Sequence, residues 1–241
     1  MVWKLIDSGK RSAEENMAID SALLLDMENT QTPILHLYDW AGDSATYGHF
    51  VDPIKFLNLE AVVAHGLHLA KRPTGGGIVF HNCDLAFSVL IPAMHPSFSQ
   101  RPLDNYAFIN ERVLWAIQQF IGGAPELLPE EPEAPDPCCK NFCMAKPTKY
   151  DVMISGRKVG GAAQRKTRHG YLHQGSISLG MLPDDYLTDL LAPNIIIMNE
   201  IRKNSFPLLG DKWTKKALSE ARRALSELLK RAFCDEMEGG C

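Results

Sequence analysis

Residues 124–137, APELLPEEPEAPDP, pack five prolines and five acidic residues into one stretch. Proline removes the amide donor that a helix interior or an inner strand requires, and clustered carboxylates repel each other, so the chain is predicted to cross this region, to about residue 142, as an exposed loop. Any single core must therefore be assembled from two halves, one on each side of it.

Both halves carry periodic apolar patterns. Ser12 and Glu15 have capping-box spacing ahead of a helix over 12–29, with Met17, Ala18, Ala22 and Leu25 on its apolar side. ILHLYDW and ATYG read as strands, 57–69 as a helix, and IVFH and LAFSVLIP as two strands separated by polar residues. A helix over 104–121 follows, with Phe108, Val113, Leu114, Ile117 and Phe120 at helical spacing. Beyond the proline loop, KYDVMI and RKVGGAAQ flank Ser155-Gly156 as a tight hairpin, and GYLHQGSISLG supplies another strand. A short helix near 183–191, the apolar patch NIIIM and a last helix over 211–233 complete a mixed, mostly antiparallel α+β pattern without repeats or a second domain.

Composition excludes several function classes. A net charge of -4 from 25 basic and 29 acidic residues offers no surplus to attract a phosphate backbone, so no nucleic-acid partner is expected. The N-terminus turns polar after six residues and no run reaches about 18 apolar residues, which predicts a cytoplasmic protein without membrane contact. Cysteines 83, 138, 139, 143, 234 and 241 are unevenly spaced, and free thiols are the expectation for a chain able to build its own core. Cys139 and Cys143 form C-x3-C, but no second Cys or His pair follows, so no metal site is expected.

Two segments suit chemistry. In Lys71-Arg72-Pro73-Thr74-Gly75-Gly76-Gly77 leading to His81, three glycines let the backbone approach a carbonyl, a phosphate or an acyl chain, with Arg72 as a charge. A plain hairpin turn is the alternative, and neither the P-loop nor the dinucleotide spacing is present. Lys158 follows the Ser155-Gly156 turn among apolar and glycine neighbours, where an acyl oxygen could accept its hydrogen bonds. Cys143, between the proline loop and the hairpin, is placed to act as a loop nucleophile or to be an idle thiol. His81 and His173 are candidate acids, bases or orienters, or simply strand histidines.

Asn16-Met17-Ala18-Ile19-Asp20, Tyr38-Asp39-Trp40, Arg72 through Gly77 to His81, and Gly156 through Gln164 leading to Gly175-Ser176-Ile177 stand in one order over residues 5–180. In them the sequence resembles the catalytic domain shared by lipoate-protein ligases, octanoyltransferases and, more distantly, biotin-protein ligases. The resemblance implies a single domain of the class II aminoacyl-tRNA-synthetase and biotin-ligase type spanning 1–241, without a C-terminal accessory domain. It also implies that Lys158 contacts the acyl carbonyl, and that Arg72, Thr74, Gly75, Gly76, Gly77, His81, Gly161, Ala162, His173 and Gly175 bind substrate.

Two chemistries fit that family. In one, octanoyl-acyl carrier protein acylates Cys143, and the specific lysine of a lipoyl domain of a 2-oxoacid dehydrogenase complex, or of the glycine cleavage H protein, attacks the thioester with no cofactor. Lys158 or a histidine is then the candidate base. In the other, ATP and Mg activate free lipoate as an adenylate and no cysteine is needed. A non-catalytic acyl-binding or carrier-binding relative is a third reading. The loop cysteine and the spacing His81-x3-Leu85-x2-Ser88 resemble the transferases, whereas Gly77, the order His173-Gln174-Gly175 and a missing glutamine at His49-Phe50-Val51 depart from them.

Overall fold

The computed structural model describes residues 2–132, 141–195 and 197–234. Its main sheet has seven strands, in the order β1 (Lys4–Arg11), β2 (Ile34–Trp40), β6 (Asp84–Pro92), β10 (Gly170–Ser178), β9 (Arg157–Lys166), β8 (Val152–Ile154) and β7 (Glu126–Leu127). β1 runs parallel to β2, and every other neighbouring pair is antiparallel. A smaller sheet places β3 (Ser44–Tyr47) between β4 (His68–Lys71), parallel to it, and β5 (Ile78–Phe80), antiparallel to it.

Strand side chains alternate between faces, and β10 shows what each face meets. Tyr171 and Ile177 join the main core with Ile109, Val113 and Ile117 of α3 (Pro102–Ile121) and Leu218, Leu225 and Leu229 of α6 (Lys215–Cys234). Leu172 points the other way, onto Leu24 of α1 (Ala13–Asp26) and Met27 just beyond it. A separate apolar cluster joins the small sheet to α2 (Leu59–Ala64), α4 (Asp184–Leu190) and α5 (Met198–Asn204).

The helix α1 has the Ser12/Glu15 capping box in both directions. Its buried face, however, carries Asn16, Met17, Asp20 and Leu24, while Leu25 is exposed, because polar side chains on this face join a buried hydrogen-bond network. The helix expected over 57–69 stops at Ala64: Gly66 takes φ 63, which ends the helix, and the chain continues as β4. β1 carries only Leu5 and Ile6 as apolar residues, too few for an alternating pattern, and is a largely exposed edge strand interrupted by an irregularity between Asp7 and Lys10 with Gly9 at φ 63. Within the proline-rich segment, Glu126–Leu127 forms a two-residue edge strand, the place where proline neighbours are tolerated. Residues 133–140 lie outside the described residues, as do Cys138, Cys139 and Cys241. Cys83 and Cys143 form no disulfide, and the described residues hold no cluster suited to a metal ion. No described helix is long and apolar enough to cross a membrane.

Candidate active site

Ser155 and Gly156 both take positive φ, 50 and 72, as a two-residue hairpin turn demands, and the turn sends β9 back along β8. This carries Lys158 inward, where only 4% of its side chain is exposed. A buried ammonium needs a counter-charge and partners for its three N–H groups. Asp151 Oδ2 lies 2.7 Å from Lys158 Nζ, and the carbonyls of Cys143 and Lys146 accept at 3.0 and 3.4 Å. Asp151 is itself held by the Tyr106 hydroxyl at 2.5 Å and by the Thr148 amide at 2.7 Å. The Tyr106 oxygen in turn accepts from the Ala162 amide, tying α3 to β9. Burial, with the Asp151 charge beside it, pushes the Tyr106 hydroxyl well above its ordinary pKa, so it remains a donor. Gly161 has no room for a side chain, since a Cβ there would lie 2.5 Å from Lys158 Nζ and 2.6 Å from Asp151 Oδ1.

The Arg72 guanidinium organises the glycine turn. One Nη donates to the Thr46 hydroxyl and carbonyl at 2.8 and 3.1 Å, the other to the carbonyls of Gly75 and Gly77 at 3.0 and 2.8 Å. Gly77 must lack a side chain because a Cβ would strike the Asn141 carbonyl, and Gly76 sits at φ 83. The chain at 141–145 thus lies against the turn. It is pinned there by Cys143 N–H to Ile78 carbonyl at 3.2 Å, by the Ser205 hydroxyl to the Met144 carbonyl at 3.1 Å and by the Asn204 amide to the Ala145 carbonyl at 2.8 Å.

Cys143 Sγ consequently faces donors: the Gly77 N–H at 3.1 Å and Arg72 Nη2 at 3.9 Å. Sulfur, guanidinium and ammonium border one cleft. Cys143, Arg72, Lys158, His81, Gly161, Ala162 and Gly175 line it, together with Met17, Tyr38, Trp40, Val79 and Ala163. Charged and nucleophilic groups thus share the cleft with aromatic and aliphatic ones, a lining suited to a carboxyl derivative with a hydrocarbon tail.

Thr74 lies behind this wall and donates to Gln174 Oε1 at 2.7 Å; Gln174 donates to Asp20 Oδ2 at 2.6 Å, and Asp20 Oδ1 pairs with His36 at 2.8 Å. A buried relay therefore runs from β2 through α1 to the glycine turn. His81 stacks on Trp40 with centroids 4.2 Å apart, and both its ring nitrogens are engaged, by Thr46 and Asp84 at 2.8 Å each. Burial pushes the Asp84 carboxyl up, but the His81 charge and hydrogen bond, with Ser176 and Arg222, outweigh it and set it below its ordinary value. His173 is not on the cleft. It projects from the opposite face of β10 against Phe87 and Tyr106, where burial lowers its pKa to about 3 and keeps the ring neutral. Neither histidine nor Lys158 is therefore free to act as a base in this arrangement. Asp151 and Tyr106 are the members of the site that periodicity and motif spacing do not single out, and Asp20 and Gln174, though they fall in the motif segments, are given no role by them.

Residues 12–205 match the model of the lipoyl protein ligase A/B catalytic domain. The chain is 32% identical to the octanoyltransferase LipM of Bacillus subtilis over 234 residues, 93% of this chain and 84% of that protein. It is 32% identical to the LipM of Anoxybacillus flavithermus, covering 84% of this chain and 74% of the relative. Among solved structures, a lipoate-protein ligase A bound with ATP superposes with a TM-score of 0.71 at 22% identity, over 96% of this chain and 85% of that one. A putative lipoate protein ligase of T. acidophilum with bound lipoic acid gives 0.70 at 22%, with the same coverage. These two likenesses concern the fold. Gly75, Gly76 and Gly77 do not line the cleft, which the turn meets through Arg72 and through the Gly77 N–H that holds Cys143. The family match over residues 12–205 identifies the chain as a member of the lipoyl protein ligase A/B catalytic domain family.

Proposed function

We propose that the protein is an acyltransferase of protein lipoylation, moving an octanoyl or lipoyl group onto the specific lysine of a lipoyl carrier domain through a thioester on Cys143. The observation that carries this reading is the placement of Cys143 Sγ in the cleft, 3.1 Å from the Gly77 N–H and beside Arg72. A sulfur that carries negative charge before it attacks and regains it as it departs is stabilised by such donors. The names of the LipM relatives favour the same chemistry.

In the first step Cys143 sulfur attacks the donor's carbonyl carbon, the donor's C–S bond breaks, and the proton given up by Cys143 ends on the departing thiol. In the second, the carrier lysine's amine attacks the new thioester, the Cys143 C–S bond breaks and the amine's proton ends on the Cys143 sulfur. The acyl chain lies toward Met17, Tyr38 and Trp40, with its carbonyl between Cys143 and Lys158. Lys158 supplies positive charge to the developing oxyanion, and the oxygen replaces the longest of its contacts, the 3.4 Å bond to the Lys146 carbonyl. Neither step uses a cofactor. Octanoyl-acyl carrier protein is the donor of this scheme, and a lipoyl domain or the glycine cleavage H protein the acceptor.

The test compares two reactions of Cys143→Ala. Transfer from octanoyl-acyl carrier protein to a lipoyl domain is expected to fall by at least about a thousandfold, the scale on which nucleophiles contribute. If the variant instead lipoylates the domain at full rate from free lipoate, ATP and Mg, the chemistry is that of a ligase.

A further inference from the structure

Cys143 and Lys158 reach one cleft from different segments of the chain, and the Lys158 side chain is itself one of the ties between them. Its ammonium holds the carbonyls of Cys143 and Lys146 at 3.0 and 3.4 Å. In the reaction given above, the acyl oxygen takes the place of the second of these bonds. A loop held by Lys158 alone would then slacken just when its sulfur must keep its position, and a displacement of about 1 Å at a reacting centre costs on the order of a hundredfold in rate. The loop needs a tether that does not pass through the ammonium.

The end of α5 supplies one. This helix is anchored by Ile197 and Ile201 in the second apolar cluster and stops at Asn204, since Ser205 is extended and Pro207 follows. Leaving the helix, the chain grips both sides of the site. Asn204 Nδ2 donates to the Ala145 carbonyl at 2.8 Å, and Ser205 Oγ to the Met144 carbonyl at 3.1 Å. Ser205 also pairs with Lys158 in a parallel bridge, the Phe206 N–H donates to the Lys158 carbonyl at 2.7 Å, and the Arg157 guanidinium lies 4.7 Å from the centre of the Phe206 ring. Further on, the N–H groups of Leu208 and Leu209 donate to the carbonyls of Ser178 and Leu179, which fastens the segment to the end of β10. Ser205 is 2% exposed, so its hydroxyl meets the loop in the interior, where water does not compete for the bond.

We infer that Asn204 and Ser205 are positioning residues of acyl transfer. They tie the nucleophile loop, at Met144 and Ala145, to the segment that holds the backbone of Lys158, so that Cys143 keeps its place when the ammonium turns to the acyl oxygen. The role in catalysis rests on the thioester reading given above; the tether itself rests on the hydrogen bonds. Neither residue lines the cleft, so their effect on the reaction passes through the loop and falls on the rate rather than on donor binding.

The test compares Ser205→Ala and Asn204→Ala with the wild type; Asn204 is only half-buried, which keeps the test open if the buried Ser205 tolerates replacement poorly. Acylation of Cys143 is followed by rapid quench over a range of octanoyl-acyl carrier protein concentrations. Deuterium exchange is read at the amides of Cys143 and Ala145, which are bonded to the carbonyls of Ile78 and Phe142. Each variant should lower the saturating acylation rate about fivefold, the scale of one hydrogen bond, and speed exchange at both amides by a similar factor. The half-saturating donor concentration should stay within about twofold. A raised half-saturating concentration at unchanged rate overturns the assignment, as does a loss of rate with exchange at the loop unchanged. Faster exchange spread over the whole main sheet marks a general loosening and overturns it too. If wild-type Cys143 takes no acyl group while both variants speed exchange at the loop, the thioester reading fails and takes the catalytic role with it, and only the tether remains.

Discussion

At the scale of single residues the site is an arrangement for keeping an ammonium inside the protein. Lys158 is nearly buried, Asp151 is fully buried, and each satisfies the other. Breaking such a pair from one side leaves an uncompensated charge, so Asp151→Asn is expected to lower unfolding free energy by about 3–5 kcal/mol in chemical denaturation, and to reduce acyl transfer as Lys158 and the Cys143 carbonyl lose their anchor. Unchanged stability would contradict this account of the pair. Part of the arrangement is legible in the sequence, namely the hairpin turning at Ser155-Gly156; but a regular hairpin would pair Val152 with Val159, and it is the register shift between Val152 and Met153 that pairs Val152 with Gly160 and brings Asp151 beside Gly161. Tyr106 is not legible, because it closes the site from a helix 45 residues away. His173 has the opposite lesson. A histidine between motif residues invites a ligand role, yet strand alternation turns it to the far face. Above pH 6.5 it is neutral folded and unfolded; below, the unfolded chain takes up a proton that the folded ring, with its pKa near 3, refuses. Stability should therefore fall between pH 6.5 and 3, by on the order of 4 kcal/mol from this group. The stability difference between wild type and His173→Asn is expected to shift against the wild type over that window, and a pH-independent difference would refute the assignment.

At the scale of elements, strongly patterned segments are legible and polar or short ones are not. α1, α3, β6 and β10 follow from capping and periodicity, whereas β1 lies exposed at an edge and β4 is only four residues long behind a glycine stop. α6 shows a role that amphipathicity alone does not announce. Its apolar face packs in the core, but Arg222 reaches across to the carbonyls of Asp84, Asn82 and His81 at 2.7, 3.2 and 3.4 Å, and sits 3.3 Å from Asp39. The helix thereby clamps the β5–β6 turn that carries His81, which lines the cleft, and its partner Asp84. Arg222→Ala is expected to lower stability by about 1.5–3 kcal/mol, the range for hydrogen bonds to a charged group, and to speed amide exchange at residues 81–84. Loss of stability without local exchange would place the role of Arg222 elsewhere.

At the scale of the molecule, the two halves separated by the proline-rich segment each bring part of the chemistry. The first contributes the glycine turn and Arg72, the second Cys143 and Lys158, and they meet where the small sheet abuts the large one. Neither half holds a complete site, which is why individual motifs are weak and only their shared order in the sequence is informative. The convergence depends on the contact of 141–145 with the turn at Gly77, a tertiary feature that no local pattern encodes. The central claim is that the acyl group rests on Cys143 between donor and acceptor. Its most direct test is rapid-quench incubation with octanoyl-acyl carrier protein, followed by peptide mapping. The account predicts a hydroxylamine-labile octanoyl group on Cys143 that disappears when a lipoyl domain is added, at the rate the domain is modified. Modification of the domain with no acyl group ever found on Cys143 would contradict it.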